Sequence, residues 1–145
     1  MSESRPRSRH RVLLFKRAMT SSAPERRYTF REYLELEARS ELRHEFFDGA
    51  VYAMSGGSPD HSRLAANVIT LATQLTGKAC QAFTSDPLVR VLATGLATHP
   101  DVSVVCGSLE RDPEDRNPVT NPVLIVEVLS PSTERYDREE KIAAR

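Results

Sequence analysis

Asp101 and Glu127 are the residues whose placement asks for chemistry. Glu127 sits in "NPVLIVEVLSPST", where Val123 to Val126 and Val128 to Leu129 read as a β-branched strand buried on both faces. A carboxylate in such a run must be neutralised, hydrogen-bonded, paired with a cation or bound to a metal. The stretch "HPDVSVVC" offers a partner, because Asp101 heads a second strand directly after Pro100. Suppose the two strands pair antiparallel around the polar loop between them, with Cys106 opposite Pro122. Asp101 then falls opposite Glu127. Residues directly opposite share a face, with Cβ atoms about 4.5–5.5 Å apart. A slip of one residue would separate them. Two carboxylates that close either share a proton or hold a cation between them. Such oxygen donors suit Mg²⁺ or Mn²⁺, with water and a substrate phosphate completing the shell. Lys141, one turn into a following helical stretch, would add a positive charge beside them. The plainer alternative is a turn-forming Asp after a Pro and a strand Glu satisfied by an Arg.

Several elements must position these groups. Thr29 and Glu32 have capping-box spacing ahead of "FREYLELEA", which predicts a helix with Phe30, Tyr33 and Leu34 on its apolar face. Asp48-Gly49 between "HEFF" and "AVYAM" predicts a tight hairpin. A second helix follows, capped by Ser58 or Asp60. Leu64, Ala65, Val68, Leu71, Ala72 and Leu75 are expected along its buried face, and Gly77 at its end. Three strands come next: "CQAF", "PLVRVL" and "VSVVC". The polar loop "GSLERDPEDRNPVTN" then leads to the strand of Glu127. The end, "SPSTERYDREEKIAAR", reads as a third helix, with Asp137 and Glu140 at capping-box spacing. This order predicts an α/β or α+β fold, a mixed sheet covered by helices.

Composition narrows the function classes. The 145 residues suffice for one domain with a core, and no apolar run approaches a membrane span. Cys80 and Cys106 form no CxxC pair and read as reduced thiols, which points to the cytoplasm. Net charge is zero, yet residues 1–27 carry eight basic and two acidic side chains. They are expected to form a disordered basic tail ahead of an ordered domain over 28–145. That domain is net acidic, which argues against strong non-specific DNA binding without excluding a local basic groove.

Three motifs in order, "RHEFFDGAVYAMSGGSPDHSRLAANV", "HPDVSVVCG" and "NPVLIVEVLSPSTERYDREEK", resemble the Uma-two family of restriction endonucleases, within the PD-(D/E)XK superfamily. The resemblance covers Tyr28 to Arg145. It implies a restriction-endonuclease-like fold, a central mixed sheet flanked by helices, and Mg²⁺-dependent hydrolysis of DNA phosphodiesters. On that resemblance Asp101 and Glu127 hold the metal, Lys141 orients the attacking water, and Glu45 is an upstream acid. Glu45 also has a plain reading as a solvent-facing hairpin residue. His61 matches a recurrent family histidine, for which a structural role with partners at the helix start is expected. The superfamily lysine two residues after the acid is replaced here by Leu129, so Lys141 stands for a lysine moved to the helix. Family members usually continue past this point, which implies a C-terminally incomplete domain with an exposed sheet edge. DNA is the implied partner, and a homodimer is plausible by analogy with enzymes that cut both strands. The alternative is an inactive remnant that acts as a nucleic-acid-binding or interaction module through its Arg-rich tail.

Overall fold

A computed structural model describes residues 26–54 and 56–129. Lys141, the third helix and all but two residues of the basic tail lie outside them.

The first helix, α1, spans Phe30–Glu37 and starts at a complete capping box. The Thr29 hydroxyl accepts from the Glu32 amide at 3.2 Å, and the Glu32 carboxylate accepts from the Thr29 amide at 2.8 Å. Two of the helix's orphan donors are thereby satisfied. Strands β1 (His44–Phe47) and β2 (Ala50–Ala53) form the expected hairpin. Asp48 and Gly49 both take positive φ, 45° and 79°, as a two-residue turn matched to strand twist requires.

Helix α2 covers Pro59–Thr76 with Ser58 as its N-cap. A short 3₁₀ turn leads to β3 (Cys80–Phe83). Then come β4 (Val89–Val91), β5 (Leu96–Thr98), β6 (Val102–Cys106) and, after the long loop, β7 (Leu124–Val126). Strand β5 was not expected from the sequence. "LAT" is too short to show alternation, and it forms only as the return arm of a hairpin with β4 that turns at Gly95, φ 75°.

The expected single mixed sheet is instead two antiparallel sheets among the described residues, ordered β2-β1-β5-β4 and β3-β6-β7. The chain crosses between them over His99, Pro100 and Asp101. Pro100 has no N–H to donate, so a ladder cannot run on through it. The mixture of helices with sheets is as expected.

The first sheet carries the aromatic core. Phe30 and Tyr33 of α1 pack on Phe46 of β1, with ring centroids 5.9 and 5.3 Å away. Leu88 and Ala97 complete that cluster. The Arg90 guanidinium lies 3.6 Å from the Phe30 ring centroid, a cation–π contact. Its other side reaches Asp112 in the long loop, 3.8 Å away. That loop is ordered by its own side chains. Asp112 accepts from the Glu114 amide at 2.7 Å, and the Asn121 side chain joins the Ser108 carbonyl to the Glu110 amide at 2.9 Å each.

Two expectations about burial are corrected. In α2, Ala72 is buried, while Leu64, Leu71 and Leu75 are exposed. Ala65, Val68 and Ile69 are half-buried alongside Ala72, and the leucines lie off that face. Strand β7 has no buried residue and is not covered on both faces, and among the described residues it is an edge strand paired with β6 alone. Strand β6, in the centre of its sheet, is the strand with four consecutive buried residues.

The cysteines are also corrected. Cys80 and Cys106 face each other across β3 and β6 and form a disulfide, with Cα atoms 4.0 Å apart. The flanking bond from the Gly107 amide to the Ala79 carbonyl makes this a non-hydrogen-bonded pair, the one in which opposite side chains approach most closely. A sequence separation of 26 residues and the absence of a CxxC motif hid the pairing. Cysteine usage therefore gives no argument for a reducing compartment.

Candidate active site

Strands β6 and β7 pair in the register that the two acids require. Val102 is opposite Val126, Ser103 opposite Ile125 and Val104 opposite Leu124. One step further along that ladder, Asp101 faces Glu127. The two carboxylates interact directly. Burial first, and then the neighbouring Glu127, push the Asp101 carboxyl above the usual aspartate range. The Val128 amide opposes that shift by donating to Asp101 Oδ2 at 2.7 Å. Two acids set on neighbouring strand ends thus carry an electrostatic strain that a cation would relieve.

A third group stands at the pair. His61 Nε2 is 3.2 Å from Asp101 Oδ2, and both side chains are mostly shielded from solvent. Helix α2 delivers it through its cap. Ser58 Oγ accepts from the His61 backbone amide at 3.2 Å, which fixes His61 in the first turn. The His61 amide finds its partner at the helix start, in Ser58, while its ring stands at ion-pair distance from Asp101. The sequence signal was the cap itself: Ser58-Pro59-Asp60-His61 orients a helix start whose target only the fold reveals.

Glu45 is buried on β1, 3% exposed, rather than solvent-facing. The Thr98 hydroxyl of β5 donates to its Oε1. Thr98 lies three residues before Asp101 on the crossing segment. Among the described residues no group of three or more His, Cys, Asp and Glu is arranged to hold a metal ion, so Glu45 is not gathered with Asp101 and Glu127 into one ligand set. The donors present fit a divalent ion that takes two carboxylate oxygens from the protein and the rest of its shell from water and substrate. Lys141 lies outside the described residues.

Next to this site is a second polar cluster. Glu37 at the end of α1 receives the His44 amide and ring Nδ1, the latter at 2.9 Å. His99 Nε2 stands 3.3 Å from the same carboxylate, at ion-pair distance but without hydrogen-bond geometry. Burial drives the His99 pKa below its usual value against the pull of Glu37. With Tyr33, whose hydroxyl donates to the His44 carbonyl at 2.8 Å, this cluster ties α1 to β1 and to the crossing segment.

The family model of Uma2, described as "Putative restriction endonuclease", matches residues 30–144. The chain belongs to the Uma2 family. An uncharacterised Synechocystis protein, slr1290, is 45% identical over 125 residues, covering 83% of this chain and 63% of that protein. A second, sll1609, is 31% identical over 114 residues, covering 78% and 64%. In fold the chain is similar to a crystal structure from Anabaena variabilis described as a "putative nuclease belonging to DUF820". The TM-score is 0.62 at 19% identity, over 78% of this chain and 64% of that one. The chain thus spans slightly less than two thirds of the length of each of these proteins. No helix among the described residues is long and apolar enough to cross a membrane.

Proposed function

We propose that this Uma2 domain is a Mg²⁺-dependent endonuclease that hydrolyses DNA phosphodiesters, with Mn²⁺ as an alternative ion. The observation that carries the reading is the pairing of Asp101 with Glu127 across β6 and β7. In this reading Asp101 and Glu127 supply the two protein oxygens to the ion. When bound, the ion would supply electrophilic assistance at the scissile phosphate and activation of the water nucleophile. The Val128 amide holds Asp101 against swinging away. Lys141 would offset charge developing on the phosphoryl oxygens. Glu45, fixed by Thr98 just ahead of the crossing segment, is the acid that would back the site from the first sheet. One such set of groups cuts one strand at a time, so scission of a duplex would call for two copies acting together.

The test is plasmid cleavage in Mg²⁺ and in Mn²⁺, against an RNA and a small phosphodiester. Metal-dependent cleavage of DNA that disappears in Asp101→Asn and Glu127→Gln supports the reading. Cleavage that survives both substitutions removes these acids from the mechanism. Cleavage of the small diester alone replaces DNA as the substrate.

A further inference from the structure

Asp101 has two neighbours that address the same oxygen, one of which, His61, the proposed reaction does not use. The Val128 amide and His61 Nε2 converge on Oδ2, at 2.7 and 3.2 Å. The Val128 contact is a hydrogen bond, whereas the His61 contact is at ion-pair distance and pulls the Asp101 carboxyl down electrostatically. Both contacts lie on Oδ2, so together they bias how the carboxylate sits.

The His61 ring has its own seat. A Cβ built on Gly57 would lie 2.6 Å from His61 Nδ1 and 3.1 Å from its Cγ. No side chain fits at position 57 while the ring stays where it is. Relief would have to come from the ring, because it supplies all three of the nearest atoms. The φ of Gly57 lies outside the left-handed range, so the backbone does not explain this glycine. Its lack of a side chain is what lets the imidazole reach Asp101.

We infer that His61 is a positioning residue that orients Asp101 for the metal, and that Gly57 is the cradle that makes this orientation accessible. The inference rests on the metal-holding role of Asp101 proposed above. Groups that hold a metal ligand from outside its shell set its orientation, and their loss typically weakens metal binding about 10–100-fold.

The experiment uses the full chain as wild type, Gly57→Ala, His61→Ala, His61→Gln and the Gly57→Ala/His61→Ala double variant. Mn²⁺ affinity is read from the metal dependence of the melting midpoint. The expected loss in His61→Ala is about 10–100-fold. His61→Gln, whose amide can donate from a similar place, recovers part of it. Gly57→Ala weakens binding alone but adds nothing in the His61→Ala background, the non-additivity expected when one residue acts through the other. A second arm needs no metal. Exchange of the Val128 amide in EDTA reports whether Asp101 stays in place, with the Val104 and Val105 amides as a check that the sheet is intact. Faster Val128 exchange in His61→Ala and Gly57→Ala, with the checks unchanged, supports the inference. Unchanged Mn²⁺ affinity in His61→Ala overturns the inference and leaves the metal reading standing. If the wild type binds no Mn²⁺, the metal reading fails, and the Val128 arm alone decides whether His61 orients Asp101. Equal Val128 exchange in all variants overturns it.

Discussion

The two sheets divide the work of the domain. The first is held by large rings. Phe30, Tyr33, Phe46, Leu88 and Ala97 fill the space under α1, and Arg90 stacks on Phe30. The second is held by one face of α2, by the central strand β6 and by the Cys80–Cys106 cross-link. It also carries two acids on neighbouring strand ends, an edge at β7 that is open among the described residues and three exposed leucines on α2. Buried aromatic area stabilises a sheet strongly and does no chemistry. Paired carboxylates do chemistry at a cost in stability. The crossing at His99, Pro100 and Asp101 links the two, so the acids stand next to the rigid sheet without being buried in it.

The sharpest way to break this comparison is to empty the first sheet. Phe46→Ala should cost about 3–5 kcal/mol by denaturant unfolding, because it removes a ring packed against two others. A loss below about 1 kcal/mol would mean the aromatic cluster is not the main support. Reducing the Cys80–Cys106 bond should act on the second sheet, at a cost of about 2–4 kcal/mol, because it removes a tie across 26 residues of chain. Amide exchange should then rise in β3 and β6 before it rises in β1. Equal loosening of both sheets would dissolve the distinction drawn between them.

A subtler test reads the slope of stability with pH in the absence of metal. The Asp101 carboxyl is held above its usual range by burial and by Glu127. The folded chain therefore keeps a proton at a pH where the unfolded chain has lost it. Unfolding releases that proton, so stability falls as pH rises from the ordinary aspartate range, about 4, through the higher folded value. Asp101→Asn removes this contribution and should flatten the slope, gaining on the wild type at pH 7 relative to pH 3. Parallel profiles would show that folding does not raise the Asp101 carboxyl above its usual range. The smallest expected effect is Leu75→Ala, within about 0.5 kcal/mol, since its side chain is 77% exposed. A large loss there would reveal a partner for the α2 leucines in solution.

Much of this was legible in the residues, and the legible parts share one property: they depend on neighbours in sequence or on simple periodicity. The Thr29–Glu32 capping box, the Asp48-Gly49 turn and the Ser58 cap are set by groups at most three residues apart. The facing of Asp101 and Glu127 was accessible for a related reason. Antiparallel pairing around a loop keeps the sum of partner numbers constant, so one assumed pair settles all the others, and the assumed pair lies in the observed register. The family, too, was legible in three ordered motifs.

What the sequence could not decide depends on surfaces meeting across many residues. Which side of α2 would be buried turned on how the helix docks on its sheet. Ala72 is buried, Ala65, Val68 and Ile69 are half-buried, and the leucines are left outside. Whether Cys80 would meet Cys106 turned on the β3–β6 register. Whether Glu45 would face water turned on β5, a strand that exists only because β1 and β4 flank it. His61 belongs to this second class. Its helix start was written in the local sequence, but its reach to Asp101 required the docking of α2 on the second sheet and the empty space at Gly57. Local sequence determined the caps and the turn, and it made the pairing of two acids a register that could be posited. Tertiary packing decided what surrounds those acids, because burial and contact are properties of assembled surfaces that no single segment carries.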